Sequence, residues 1–362
     1  MNHTIEIESL RKRIPRNGSR GGEMFCAKGF PALVAMSVLS VGLVRAEILI
    51  EFVPVGNPQN LADTEVMNDG AGGFGSVDRK YWIGKYEVTA GQYAEFLDAV
   101  ADDDPYGLYS TSMWNSSTGC KIERTGSPGG YSYSVSSDRA DRPVNYVGFW
   151  DACRFANWLH NGQPQGPQGP ETTERGAYDL DGYTGDDGRT IARNAAAKVW
   201  IPSEDEWYKA AYYDGVADVY YDYPTGTDLV PDNRHITPDL GNNANFYEEG
   251  FTIDGPYWTT EVGAFENSAS PYGTFDQGGN VKEWTESLLS IDDPYRIFRG
   301  GSFSGSNGST RLHANYRHID LGPSYASSGV GFRVASIPEP GTLTLLAIGG
   351  LGLLGYLARK RP

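Results

Sequence analysis

A glycine-rich stretch with no helical period limits what this chain can fold into more than any other feature does. From residue 219 to residue 335, glycine, asparagine and aromatic residues are spread through short segments, and apolar residues do not recur at helical spacing. Glycine permits positive backbone φ angles and proline interrupts helices, and the chain contains 46 glycines and 21 prolines. The sequence therefore predicts irregular chain and short strands in this region. Residues 102–141, rich in serine, glycine and tyrosine, predict loops and short hairpins.

Three helices are predicted before that stretch. Thr89 and Gln92 form a capping box, after which apolar residues recur at i, i+3, i+4 and i+7. A second helix is indicated by the shared apolar face of "FWDACRFANWL". Ser203 and Glu206 form another capping box and begin the third helix.

The first 46 residues are predicted to be a secretory signal peptide and not part of the fold. An apolar run from Phe30 to Val44 follows Lys28 and leads into "RA", which is typical of a signal peptide with small residues at its cleavage site. Met24 would give a leader of ordinary length, so residues 1–23 fit an over-long start. A membrane anchor is the other interpretation, but the run is short for a bilayer.

The C-terminal residues predict a sorting signal. Pro338, Glu339 and Pro340 precede an apolar segment, 341–358, and a basic cluster, 359–361. Taken alone, this segment could anchor the chain in a membrane. The order of the three elements resembles the PEP-CTERM sorting signal of Gram-negative bacteria, which implies recognition by an exosortase and delivery to the envelope, cell surface or extracellular matrix. The folded domain is then expected to span residues 47–336.

The charge balance argues against nucleic acid as a partner. The chain carries a formal net charge of −16, and an acidic surface repels phosphate backbones and anionic membranes. Such a surface favours cations. It is equally compatible with a solvated exterior that keeps an exported protein soluble.

Two cysteines lie beyond the predicted signal peptide, Cys120 and Cys153. Export would permit a disulfide between them, but their separation cannot be deduced from the sequence. Cys153 lies inside a helical pattern, where a cysteine usually behaves as a small buried apolar residue.

Several kinds of catalytic site are not supported by the sequence. The histidines are scattered, with no HExxH pair for zinc or iron, and no GxSxG elbow is present for a serine hydrolase. The glycine- and serine-rich run from Arg299 to Arg317 lacks the lysine of a phosphate-binding loop. Oxygen ligands are better represented, because two segments place Asp, Asn or Glu beside glycines in a way that suits Ca²⁺ or, equally, stabilises turns.

Seven blocks in order resemble the formylglycine-generating enzyme, or sulfatase-modifying factor, family. They extend from about Phe52 to Ala335 and read "YWIGKYEVTAGQYAEF", "RPVNYVGFWDACRFANWL", "WIPSEDEWYKAAYYDG", "GNNANF", "YGTFDQGGNVKEWTES", "FRGGSF" and "GFRVA". The resemblance implies an α+β, irregular, loop-rich variant of the C-type-lectin-like fold, with about three helices and small antiparallel sheets.

The same resemblance implies two structural Ca²⁺ sites. The first would use the side chains of Asn245 and Asp254 with the carbonyl groups of Phe246 and Pro256. The second would use the side chains of Asp276 and Glu283 with the carbonyl groups of Gly279 and Val281.

Copper chemistry of the family type is not expected. Family enzymes oxidise a substrate cysteine with O₂ through two cysteines that hold Cu(I), and the nearest matches here are Gly305 and Thr310. No cysteine follows Cys153, and Lys282 replaces a tryptophan of the family's "GNVWEW" block. The related sulfoxide synthases use iron bound largely by an additional helical domain, for which this chain has no room.

Two functions are compatible with these residues. The preferred hypothesis is an exported, non-catalytic module that presents the 299–317 loop and nearby aromatic residues to an extracellular polysaccharide or a matrix protein. The alternative is a family enzyme of altered mechanism, with Ser302, Arg311, His313 and Arg317 as its polar groups. Of these, His313 has the ordinary pKa best suited to acid–base work near neutrality.

Overall fold

The computed structural model describes residues 47–305, 308–319 and 321–337. The predicted signal peptide and the segment after Ile337 lie outside these residues. Five α-helices occur in the described part of the chain: α1 Ala90–Val100, α2 Ser112–Asn115, α3 Ser137–Ala140, α4 Phe149–His160 and α5 Glu204–Tyr212.

The three longer helices, α1, α4 and α5, lie where the sequence predicts them. Both capping boxes form: Thr89 Oγ1 accepts a hydrogen bond from the Gln92 amide, and Ser203 Oγ accepts one from the Glu206 amide. These bonds satisfy backbone N–H groups that a helix leaves without partners in its first turn. The helical prediction is therefore confirmed at the level of individual caps.

The strands are short. In chain order they are β1 Phe52–Val55, β2 Tyr81–Gly84, β3 Ile122–Thr125, β4 Ser132–Val135, β5 Val199–Trp200, β6 Tyr213–Asp214, β7 Val219–Tyr220, β8 Lys282–Leu288, β9 Arg296–Arg299, β10 Val330–Gly331 and β11 Ala335–Ser336. One sheet has the order β1-β2-β11-β5, a second has the order β10-β8-β9, and β3–β4 and β6–β7 are two-stranded.

One strand pair differs from the predicted antiparallel arrangement. β10 runs parallel to β8, with Val330 opposite Lys282. β8 and β9 form an antiparallel hairpin, and the chain then crosses from the end of β9 to the far edge of β8. That crossover reverses the direction of the chain once more, so β10 enters the sheet in the same direction as β8.

The segment between α1 and α4 contains the predicted hairpin, β3–β4. It also contains the two single-turn helices α2 and α3, which the sequence did not indicate. Four residues are too few to display a helical period, so turns of this size depend on local hydrogen bonds and packing.

The main core lies where α1 and α4 pack together with the first sheet. Its centre is aromatic, with Phe155 contacting Tyr93, Phe96 and Phe332 at ring-centroid distances of 5.3–6.0 Å. Cys153 is fully buried in this core, as predicted. No helix among the described residues is long and apolar enough to cross a membrane, and the predicted apolar segment 341–358 lies outside them.

Candidate functional site

The two arginines that flank the 299–317 loop share the carboxylate of Glu204, and Arg317 also forms an ion pair with Asp69. Arg299 Nε donates to Glu204 Oε1 at 2.8 Å, and Arg317 donates to both oxygens of Glu204 at 2.8 Å. Glu204 is the first residue of α5, and all three side chains are buried. The loop therefore begins and ends on a buried ion-pair cluster, with both arginines on its inner side.

Two glycines let the chain leave β9 and enter the loop. Gly300 and Gly301 have φ angles of +96° and +72°, a region that favours glycine. A Cβ atom on Gly300 would overlap the carbonyl oxygen of Gln277, and one on Gly301 would press against Arg311 and Leu312. Close backbone packing therefore explains the two glycines of the "RGG" triplet. A phosphate-binding role is not needed to explain them, which agrees with the absence of a phosphate-loop lysine from the sequence.

The four polar candidates from the sequence do not form one constellation. Ser302 Oγ donates to the Ser304 carbonyl at 2.8 Å. His313 faces Asp222, with 3.7 Å from Nε2 to Oδ1, while its Nδ1 accepts from the Asn315 amide. Arg317 is buried in its ion pair with Glu204. Of the four, Arg311 alone has a side chain with no hydrogen-bond or ion-pair partner in the part of the chain that the structure describes.

Two residues that the sequence reasoning did not select as site residues lie near Arg311. Burial, together with Arg311, lowers the pKa of Lys282 to about 8. Burial, together with Lys282, Arg311 and Arg299, lowers the pKa of His318 well below its ordinary value. The replacement of a family tryptophan by Lys282 was the one sequence signal that pointed here, whereas His318 carried none.

The two thiols within the described residues both belong to the main hydrophobic core. Cys120 and Cys153 are free and buried, so the disulfide that export would permit is not formed in this structure. Burial raises the pKa of both thiols. Neither residue has the exposed, electropositive surroundings that produce a reactive thiolate.

The first implied Ca²⁺ set contains an oxygen that suits a cation. Asn245 Oδ1 is buried and has no hydrogen-bond partner among the described residues, while its Nδ2 donates to Trp258 and Asn280. Asp254 is exposed on the neighbouring turn. The carbonyl of Pro256 accepts from Arg139 at 2.7 Å, and that of Phe246 accepts from Thr252. The unpartnered Asn245 Oδ1 is therefore the feature of this set that suits a cation, whereas the carbonyl groups of Pro256 and Phe246 already accept hydrogen bonds.

The second implied set is arranged less favourably. Arg333 donates to both oxygens of Glu283, at 2.6 and 2.7 Å, and Trp207 Nε1 donates to Oε2 at 2.8 Å. Asp276 Oδ2 accepts from the Gly263 amide at 2.6 Å. A buried guanidinium already pairs with both oxygens of Glu283, so this carboxylate is not free to bind a cation in this arrangement. Both oxygens of the buried Glu87, however, have no partner among the described residues, and burial together with Asp276 and Glu283 raises the pKa of Glu87.

Transition-metal ligands do not converge in the part of the chain that the structure describes. No group of three His, Cys, Asp or Glu side chains with metal-binding geometry occurs among those residues. The arrangement offers polar donors, cations and aromatic faces at the loop, which are groups that bind and orient a ligand.

The fold and the ordered blocks define a recognised class. Residues 53–337 match the sulfatase-modifying factor enzyme 1-like domain, and the chain belongs to that family. The solved structure of CarF matches 80% of this chain and 99% of its own length, with 22% identity and a TM-score of 0.50. That match supports the α+β, C-type-lectin-like fold.

Relatives within the family differ in their named activities. A formylglycine-generating enzyme of Thermomonospora curvata is 27% identical over 284 residues, which is 71% of this chain and 82% of the relative. An inactive C-alpha-formylglycine-generating enzyme 2 of Bos taurus is 28% identical over 55% of this chain and 62% of its own length. A hercynine oxygenase of Mycolicibacterium smegmatis is 23% identical over 66% of this chain and 49% of its own length.

Residues 336–361 match the PEP-CTERM protein-sorting motif. The motif implies recognition by exosortase sorting machinery and export to the envelope or surface of a Gram-negative bacterium, as the sequence predicts.

Proposed function

We propose that this chain is an exported ligand-binding module of the sulfatase-modifying factor family and does not act as a copper oxidase. The observation that carries the proposal is the position of the thiols. Cys120 and Cys153 are buried in the core, whereas the loop has Gly305 and Thr310 where the family enzymes have copper ligands. Cu(I) binding requires thiolates that the metal and substrate can reach. The Bos taurus relative, named as inactive, shows that the family includes proteins described in this way.

A half-exposed aromatic cluster beside the loop supports the binding role. Phe251 lies 4.9 Å from Tyr247 and 4.9 Å from Trp258, measured between ring centroids, and Phe251 is 40% exposed. The cluster joins the loop through Glu248, whose Oε2 accepts from the Ser309 amide. Aromatic faces of this kind stack on sugar rings, so the cluster and the loop together suit an extracellular polysaccharide.

A binding screen on the full chain, solubilised in mild detergent, tests this proposal. Oligosaccharides are titrated against the wild type and Phe251→Ala, and loss of the stacking face is expected to weaken binding about tenfold. Ile291→Ala is the matched control, because Ile291 is an exposed apolar residue at the tip of the β8–β9 hairpin, opposite the end where the loop begins. Equal oligosaccharide affinity of Phe251→Ala and Ile291→Ala would count against the proposed binding role. So would a wild type that binds none of the oligosaccharides.

The alternative, an enzyme of altered mechanism, has one supporting observation. His313 and Asp222 approach to 3.7 Å, and a carboxylate beside a histidine can support proton transfer. The test is O₂ consumption on cysteine-containing peptides with added copper. We expect no turnover above the buffer. Turnover that disappears in His313→Ala would overturn the non-catalytic assignment.

A further inference from the structure

Arg311 has an uncommitted guanidinium. Among the described residues its side chain has no hydrogen-bond or ion-pair partner, and its Nε atom is buried. The neighbouring Arg299 and Arg317, in contrast, are both held by Glu204. A buried N–H group without an acceptor is costly, so this group needs an acceptor that the described residues do not supply.

Lys282, on β8, is a second cation near the loop that lacks an acidic partner among the described residues. Its ammonium lies 5.3 Å from the centroid of Phe298 and 5.6 Å from that of Tyr325, and it has no carboxylate partner in the described chain. The aromatic faces hold the cation in place without neutralising it.

His318 lies next to β9, on the edge of that strand that faces away from β8. The backbones of Phe298 and His318 form a β-bridge, and Trp284 pairs with Phe298 from the opposite side. Because Lys282 is two residues before Trp284 on β8, the side chains of Lys282, Phe298 and His318 share one face of the sheet. His318 Nε2 is buried and has no partner in the described residues.

Electrostatics also favour an external anion at this position. The chain carries a net charge of −16. Arg311 nevertheless packs against Gly301, two residues beyond Arg299, which lies opposite Glu283, the neighbour of Lys282. No carboxylate of the described residues forms an ion pair with Lys282, Arg311 or His318. Arg311 and Lys282 repel each other there, and an anion between them would remove that repulsion and satisfy the free donors.

We propose that Lys282, Arg311 and His318 form a binding site for an anionic group, a carboxylate or a sulfate or phosphate ester, carried by the extracellular polysaccharide. This inference rests on the proposed function and names the chemical class of its ligand. The aromatic cluster at Phe251 would hold sugar rings, while the cations would select an acidic sugar over a neutral one.

The experiment is calorimetric titration of the full chain in mild detergent with defined probes. The probes are a uronic-acid oligosaccharide, a sulfated oligosaccharide, a neutral glucan of equal length, inorganic sulfate and inorganic phosphate. Arg311→Gln and Lys282→Gln remove one charge each, Arg311→Lys preserves the charge, and Arg234→Gln removes an exposed charge elsewhere. Thermal unfolding of each variant shows whether it is folded.

We expect an acidic oligosaccharide to bind at least tenfold more tightly than the neutral glucan, and Arg311→Gln or Lys282→Gln to remove that preference. Arg311→Lys should retain part of it, and Arg234→Gln should retain all of it. Which acidic probe binds best identifies the anion. Equal binding of acidic and neutral probes, or full binding by folded Arg311→Gln and Lys282→Gln, overturns the anion site and leaves the polysaccharide-binding function standing. Arg311-dependent binding of inorganic anions alone supports the site and counts against the polysaccharide.

Discussion

Glu204 shows how one residue at a helix terminus can organise a distant loop. Its backbone belongs to the first turn of α5, and its amide donates to Ser287 Oγ. Its carboxylate holds Arg299 and Arg317, which lie 95 and 113 residues further along the chain. Removing Glu204 leaves Arg299 without a carboxylate and Arg317 with Asp69 alone, and this is more costly than losing a surface pair.

The substitution Glu204→Gln tests this role. It removes the negative charge between two buried guanidinium groups and is expected to lower the free energy of unfolding by about 3–5 kcal/mol. Urea unfolding followed by tryptophan fluorescence measures the change. Glu171→Gln alters an exposed carboxylate and should shift stability by less than about 0.5 kcal/mol. A loss below about 1 kcal/mol in Glu204→Gln would show that the loop is anchored by other contacts.

Glu286 makes the stability depend on pH. Burial raises the pKa of its carboxyl group from 4.5 to about 7, although the nearby Arg193 acts in the opposite direction. Between these pH values the folded protein keeps a proton that the unfolded chain has released, so stability falls as the pH rises through this window.

Glu286→Gln should remove this contribution. Between pH 5 and pH 7, the free energy of unfolding of the wild type is expected to fall by about 2 kcal/mol relative to that of the variant. The reason is that the glutamine of the variant has no proton to lose. Urea unfolding at pH 5, 6 and 7 gives the slopes. The exposed Glu249 provides the control, since Glu249→Gln should leave the slope unchanged. Parallel curves for wild type and Glu286→Gln would contradict the prediction.

At the scale of elements, the segment 245–258 connects the buried side-chain amide of Asn245 to an exposed turn that carries Asp254. Asn245 forms an isolated bridge with Gly279, next to β8, while the rest of the segment carries Asp254 and the aromatic cluster. The unpartnered Asn245 Oδ1 is an oxygen that a bound Ca²⁺ would satisfy, which would tie the turn to the sheet.

Calcium is accordingly expected to stabilise the protein. Saturating Ca²⁺ should raise the melting temperature relative to the protein in chelator, by an amount equivalent to about 2–3 kcal/mol at a hundredfold excess over the dissociation constant. Asp254→Asn should reduce the shift, whereas Asp78→Asn, at another exposed carboxylate, should preserve it. Identical melting curves with calcium and with chelator would rule out the first site.

At the scale of the whole molecule, the core sequesters the thiols that the described chain contains. Cys153 lies on α4 and Cys120 lies two residues before β3, and both belong to the main core. Burial both blocks access and raises the thiol pKa, and each effect slows reaction with an external disulfide.

Thiol labelling checks this arrangement. In a Cys26→Ser variant, the folded protein should react with an aromatic disulfide reagent at least a hundredfold more slowly than the same protein in urea, because reaction requires opening of the core. Two thiols should become reactive on unfolding. Rapid labelling of either one in the folded protein would show an accessible thiol and weaken the case against thiol chemistry.

Much of the local structure was predictable from the sequence. Thr89 with Gln92 and Ser203 with Glu206 are local signals, because capping joins residues three positions apart and needs no tertiary contact. The single-turn helices and the parallel β10 strand were not predictable, since four residues show no period and a two-residue strand acquires its direction from the crossover that delivers it.

The sequence by itself determined the family, the three longer helices, two of them with capping boxes, and the sorting motif, because each depends on residues that are adjacent or in a recognisable order. Only the tertiary structure decided that Arg299 and Arg317 are internal anchors while Arg311 has no partner among the described residues. The physical reason is that an arginine's role depends on which carboxylate the fold brings to it. Glu204 lies about a hundred residues away and reaches only two of the three.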